Sequence, residues 1–186
     1  MKKLFQSLAI ATFAAIGFWS CGDDDTWSEY EEWRETNTEW YNTQLSRKNV
    51  DGTPYFTVIQ PDWYPQSGVL IHYFNDRELT KNNLQPMLTS HVTVKYHGRL
   101  YNDVCFDSTS VGADSVRTFA LTNTITGWQI ALTQMHVGDS CEIIIPYSQG
   151  YGYAGSTSAT GVQTISPYST LRFNIGLKEV PAYEIP

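Results

Sequence analysis

The sequence predicts an α+β fold, an antiparallel β-sheet wrapped around one short α-helix and preceded by a separate aromatic-rich helix. Three observations carry this expectation. From Val69 onward apolar and polar residues alternate, as Val92, Val94 and Tyr96 do against Thr93, Lys95 and His97, which is the period of a half-buried strand. Within that half only Trp128, Ala131, Leu132 and Met135 stand at i, i+3, i+4 and i+7, the period of a helix face. Upstream, Trp27, Tyr30, Trp33, Trp40, Tyr41 and Leu45 recur at steps of three, four and seven, an aromatic stripe on a helix of its own.

The first 20 of the 186 residues stand apart from the fold. Met1-Lys2-Lys3 opens the chain, an uncharged apolar run follows from Leu8 to Trp19, and Ser20-Cys21 closes it. This is the layout of an export signal, shorter than the roughly 20 apolar residues of a membrane span. The small Ser20 before Cys21 resembles a bacterial lipobox, which implies that Cys21 is lipidated and anchors the protein to a membrane. An ordinary cleaved signal and an uncleaved anchor are the alternatives, and all three export the chain. Gly22-Asp23-Asp24-Asp25 resembles the acidic tether of some surface-displayed Gram-negative lipoproteins, and a solvated spacer would look the same. The expected location is therefore the outer membrane, on its periplasmic face or at the cell surface.

A helix is expected over 25–47. Glu29, Glu31, Glu32 and Glu35 crowd its first half and Arg47-Lys48 its end, as the helix macrodipole favours. Its stripe over 27–45 is a packing surface, suited to docking on the rest of the chain or to self-association. Asn49-Val50-Asp51-Gly52 ends it in a turn, so 21–50 reads as tether plus helix. Residues 51–67 connect, with a short β-rich run at 55–59 and then Pro61, Pro65 and Gly68 as breakers. The folded domain is expected over 68–180, with strands at 69–74, 91–96, around Cys141, Ile143 and Ile145, and around Leu171, Phe173 and Ile175. The helix at 128–135 lies among them, and 181–186 is a tail.

Composition excludes several functions. The net charge is −7, and without Lys2 and Lys3 ten basic residues face 19 acidic ones, or −9. Such a chain is a poor nucleic-acid binder. His72, His91, His97 and His136 are scattered, with no cluster of His, Cys and acids, so a metal site is not expected. Cys105 and Cys141 are the thiols besides Cys21. Export permits a bridge between them, and the sequence leaves it open. The run Gly150-Tyr151-Gly152-Tyr153-Ala154-Gly155 imitates a dinucleotide fingerprint, but the stretch after it is no helix former. Tyr153 and Tyr168 are expected at the surface or rim.

The remaining motifs resemble one family in order. Val94-Lys95-Tyr96-His97-Gly98 is similar to a strand ending in Tyr-x-Gly, and Phe106-Asp107-Ser108 to a Phe-Asp-Ser signature. Thr124-Ile125-Thr126-Gly127-Trp128, with Met135-His136-Val137-Gly138 beyond, is similar to Val-Ile-x-Gly-Trp followed by Met-x-x-Gly. Pro146 with Tyr151-Gly152, and the run from Ile165 to Phe173, are similar to the closing blocks. Residues from about 68 to 180 thus resemble the FKBP-type peptidyl-prolyl cis-trans isomerase domain, here in a bacterial lipoprotein.

The resemblance implies an apolar proline pocket with Trp128 as floor and Tyr96, Phe106, Phe119, Ile125 and Phe173 as walls. The backbone N–H of Ile125 and the hydroxyl of Tyr151 would hold substrate carbonyls. Asp107 would orient Tyr96 or act on the twisted amide, which makes Tyr96, Asp107 and Tyr151 the catalytic candidates. Proline-containing proteins outside the cytoplasm are the implied partners, with no cofactor. Arg117 stands where a further pocket aromatic is usual, Thr124 replaces Val, Ser166 replaces Pro, and 155–163 is rich in Ser, Thr and Gly. These departures point to an open, polar mouth with a weaker grip on substrates and macrolides. They also keep a rival in view, a non-catalytic binding or chaperone module built on the same pocket.

Overall fold

The computed structural model describes residues 28–109 and 115–181. The export signal, Cys21, the acidic stretch 23–25, Trp27 and the tail from 182 lie outside the described residues. Helix α1 spans Glu31–Leu45, and strands β1 (Thr57–Ile59), β2 (Val69–Tyr73), β3 (His91–Leu100), β4 (Cys105–Ser108) and β5 (Arg117–Ala120) follow. Helix α2 (Thr126–Leu132) comes next, then β6 (Ser140–Ile145), β7 (Ser156–Thr157), β8 (Gln163–Ile165) and β9 (Leu171–Glu179).

Seven strands form one antiparallel sheet in the order β1-β2-β6-β9-β3-β4, with β5 also pairing to β3. The two long central strands set its register, with Tyr96 opposite Ile175 and Gly98 opposite Phe173. On β9 the alternation is strict: Leu171, Phe173, Ile175 and Leu177 face the core, and Arg172, Asn174 and Gly176 lie half-buried on the other side. α2 packs on the core face, where Ile130, Ala131 and Leu132 are fully buried with Ile143 and Ile145.

Ile143, Ile144 and Ile145 are all buried, a pattern that requires cover on both faces of the sheet. α1 and the segment before β1 supply the outer cover, where Phe56, Leu70 and Ile144 pack against Trp40, Tyr41 and Tyr55. Docking is thus what the stripe does in this fold. The helix is rich in Thr and Asn, which are weak helix formers, and Thr36, Thr38 and Thr43 each bond back to the carbonyl four residues earlier. Its stability therefore comes from tertiary packing. Leu45, read as part of the stripe, is 43% exposed, because the helix ends there.

Other boundaries differ from expectation for local reasons. β3 runs on through Gly98 to Leu100, since Gly98 fits under two rings without breaking the strand. α2 starts earlier, at Thr126, and stops at Leu132, where Gln85 Nε2 reaches the carbonyl of Thr133 at 2.6 Å. Met135 is fully buried in the turn beyond, not on the helix. Asp139 closes that turn: it accepts the His136 N–H at 2.8 Å and side-chain hydrogen bonds from Asn75 and Thr80, with Arg77 Nε 3.5 Å away. Burial alone would raise its pKa, but these bonds and the Arg77 charge hold it below the ordinary carboxylate value. The expected loop 155–163 carries β7 and runs into β8, which pair as a hairpin ending at Ile165. Cys105 is exposed and Cys141 buried, and both are free thiols.

Candidate active site

Strands β3, β4, β5 and β9, helix α2 and two turns converge on a cavity of about 200 Å³. That is below the roughly 300–1,000 Å³ of drug-sized sites, so it suits a single small ring and its flanking peptide groups. Gly98 makes the convergence feasible. A Cβ there would stand 2.7 Å from the Phe173 ring and 2.9 Å from that of Phe106, so only glycine lets the rings of β4 and β9 close over β3. Gly127 plays the corresponding part for α2: a Cβ would lie 2.4 Å from Cγ2 of Ile145. The helix therefore sits tight on β6, and the next residue, Trp128, is carried down to the floor.

Trp128 is the hub of an edge-to-face cage. Its ring lies 5.0 Å from Tyr96, 5.6 Å from Phe119 and 5.3 Å from Phe173, at interplanar angles of 78° to 85°. Phe106 meets Phe173 in the same way at 5.4 Å. Such contacts favour rigid, well-ordered walls. The indole N–H of Trp128 is buried with no hydrogen-bond partner among the described residues, a local cost of the kind that clusters at working sites.

The polar wall is small. Tyr96 donates its hydroxyl to Asp107 Oδ2 at 2.6 Å, and Arg117 Nη1 approaches both the Tyr96 oxygen (3.1 Å) and Asp107 Oδ1 (3.2 Å). Burial, then the bond to Asp107, pushes the Tyr96 phenol well above its ordinary pKa. Tyr151 is raised too, by burial first and by the Asp107 charge second. Both phenols therefore stay protonated and able to donate throughout the neutral range. Ile125 occupies the position before α2, in extended conformation, and its N–H donates to no group among the described residues.

All eight pocket residues expected from the sequence line this cavity: Tyr96, Phe106, Asp107, Phe119, Ile125, Trp128, Tyr151 and Phe173. Asn123 and Thr124 line it as well. Asn123 was not foreseen, although its place two residues before Ile125 was a usable signal. The Thr124 hydroxyl bonds to Leu121 O at 2.7 Å, so it stabilises the turn entering α2. Arg117 is at the rim on edge strand β5, half-exposed, with its guanidinium turned onto the Tyr96–Asp107 pair. The β7–β8 hairpin carries no residue of the cavity lining.

The stretch of chain that builds this cavity is similar to known proteins. The chain is 43% identical over 95 residues to the peptidyl-prolyl cis-trans isomerase Mip of Coxiella burnetii, covering 51% of this chain and 39% of that one. It is 38% identical over 95 residues to the FKBP-type 22 kDa peptidyl-prolyl cis-trans isomerase of Escherichia coli, covering 51% and 43%. The "Outer membrane protein MIP" of Legionella longbeachae is 36% identical over 96 residues, covering 52% and 39%. The chain thus spans about two-fifths of the length of these relatives. In fold it is similar to FkpA from Escherichia coli, with a TM-score of 0.64 at 20% identity over 84% of this chain and 63% of that one. A peptidyl-prolyl isomerase from Pseudomonas syringae gives 0.63 at 24%, over 81% and 95%. Residues 83–178, which contain every residue of the cavity lining, match the sequence pattern of the FKBP-type peptidyl-prolyl cis-trans isomerases, and the chain belongs to that family.

Proposed function

We propose that the protein is a peptidyl-prolyl cis-trans isomerase that acts on Xaa–Pro bonds of exported proteins as a folding helper. The observation that carries this reading is the aromatic cage around Trp128 with a single phenol–carboxylate pair, Tyr96 and Asp107, on its wall. Rotation about a peptide bond meets a barrier of about 18–20 kcal/mol, while the two Xaa–Pro isomers differ by only about 0.5–1 kcal/mol. No nucleophile is needed. The site has to hold the twisted amide better than the planar one.

Twisting removes the amide resonance, so the carbonyl oxygen sheds negative charge and the nitrogen becomes pyramidal. An apolar cage favours that less polar state. Trp128 forms the floor under the proline ring, and Tyr96, Phe106, Phe119, Ile125 and Phe173 form its walls. The Ile125 N–H and the Tyr151 hydroxyl hold carbonyls of the substrate chain. Asp107 fixes the Tyr96 hydroxyl and opposes the negative oxygen of the planar amide more than that of the twisted one.

A second reading has one observation in its favour. Arg117 lies against Asp107 and offsets its charge, which suits a module that binds proline without fast turnover. Exchange between the cis and trans NMR signals of an Xaa–Pro peptide separates the two. Acceleration by catalytic amounts of protein supports the isomerase. Saturable binding with unchanged exchange selects the binding module.

Anchoring at Cys21 belongs to the same proposal, supported by the sequence of residues 1–21 and by the similarity to the outer membrane protein MIP of Legionella longbeachae. Labelled palmitate should enter the wild-type chain and not Cys21→Ala. Equal labelling of both would remove the anchor.

A further inference from the structure

Helix α1 precedes the stretch of chain that carries the family pattern, yet its buried face grips the segment 168–170 before β9, which in turn is bonded to the turn that bears Tyr151. Asn37 is 1% exposed, in the middle of the helix. Its Oδ1 accepts the Thr170 N–H at 2.8 Å, and its Nδ2 donates to Trp33 O at 2.8 Å. Both halves of the amide are thus used, as a buried polar side chain requires. One turn earlier, Trp33 Nε1 donates to Ser169 Oγ at 3.2 Å, and Ser169 Oγ donates to Ser166 O at 2.7 Å. Arg34 lies over the ring of Tyr168, 5.8 Å from its centroid.

Tyr168 links this grip to the pocket. It was expected at the rim, but it is 5% exposed, stacked edge-on against Tyr147 at 5.3 Å. Its backbone has φ +60°, a left-handed conformation that an aromatic residue holds only where its surroundings fix it. From that position its N–H donates to Gly152 O at 3.0 Å. Gly152 adjoins Tyr151, whose side chain lines the cavity. Tyr41 braces the other end of the same excursion, because it donates to Gly68 O at 2.6 Å while Gly68 N–H donates to the buried Gln149 side chain at 3.2 Å.

We propose that Asn37 is a positioning residue of the pocket: through Thr170, Tyr168 and Gly152 it sets where Tyr151 stands, so that α1 is a working part of the site. This rests on the isomerase reading for its kinetic consequence, and not for its structural one. A loosened Tyr151 loses grip on a substrate carbonyl and leaves the aromatic cage intact, so the effect falls on KM and spares kcat.

The test is Asn37→Ala in the full chain. Loss of one neutral hydrogen bond to substrate corresponds to a rise in KM of about three- to tenfold, with kcat unchanged. Asn37→Asp, which keeps an acceptor for the Thr170 N–H, recovers most of it. In a Tyr151→Phe background, Asn37→Ala adds nothing further. Hydrogen exchange at the Gly152, Gly155 and Tyr168 amides quickens in Asn37→Ala while β6 and β9 keep their protection. Should Asn37→Ala fail to fold, Trp33→Phe removes the bond to Ser169 and keeps most of the ring, and shows the same pattern more weakly. Unchanged exchange at those amides, or KM effects that add to those of Tyr151→Phe, overturn the proposal. If the wild type isomerises nothing, the functional reading fails, and the exchange measurement still decides the brace.

Discussion

The Tyr96 hydroxyl lies 2.6 Å from Asp107 Oδ2, and Arg117 stands 3.1 Å from that hydroxyl and 3.2 Å from the other carboxylate oxygen. A core strand, an exposed strand and an edge strand thus meet in one three-residue network on the wall of an otherwise apolar cage. On the proposed reading, this network sets how much negative charge a substrate amide meets.

Asp107→Asn keeps the size of the side chain and removes its charge. Tyr96 retains an acceptor, so the fold should hold. Loss of one charge-assisted bond on the wall should lower kcat/KM by about ten- to a hundredfold. Circular dichroism and a proline-peptide relaxation assay together check this.

Arg117→Ala should act in the opposite direction. Its side chain is half-exposed, so removing it costs little stability. With Asp107 no longer offset, kcat should rise by about two- to fivefold, the scale of an exposed pair. The gain should vanish in the Asp107→Asn background. A fall in kcat would show that Arg117 helps the reaction.

Gly127→Ala tests how the floor is placed. The added methyl would meet Ile145 Cγ2 at 2.4 Å, which forces α2 off β6. The cost should be about 1–3 kcal/mol, read from denaturant unfolding, with a tilted Trp128 and altered fluorescence. In an Ile145→Ala background the same change should cost less.

Asp139 predicts an acid dependence away from the pocket. Its carboxyl is held below the ordinary value of 3.8 in the folded chain. The unfolded chain therefore binds the proton first, and Asp139 contributes stability that is fully present above that value. This contribution is lost as pH falls through the lower, folded pKa. Asp139→Asn should cost about 2–4 kcal/mol at neutral pH and flatten the decline below pH 4. Urea midpoints measured across the acid range decide it.

The pocket was legible in the sequence because its residues sit in short blocks whose spacing is local. Tyr96 and Gly98 lie two apart on one strand, Phe106 and Asp107 are adjacent, and Ile125 and Trp128 share the entry to a helix. The brace was not legible. Aromatic periodicity marked 27–45 as a packing surface, but the residue at its centre is the polar Asn37, and its partner Thr170 lies 133 positions away. Tyr168 read as a rim residue because its burial depends on α1 and Tyr147. Arg117 was recognised as a missing aromatic, while its meeting with Asp107 depends on β5 and β4 pairing one after the other along the same edge of β3. The β7–β8 hairpin was hidden in a Ser-, Thr- and Gly-rich stretch with no apolar alternation.

The most direct test of the central claim, that an apolar cage floored by Trp128 isomerises Xaa–Pro bonds, compares wild type with Trp128→Phe. Cis/trans relaxation of one leucyl-proline peptide is followed, with both proteins shown to be folded at the assay temperature. The account predicts clear acceleration by the wild type, and a loss in Trp128→Phe of about five- to a hundredfold in kcat/KM, the worth of part of a buried aromatic contact. Relaxation at the uncatalysed rate with folded wild type, or equal rates from both proteins, would contradict it.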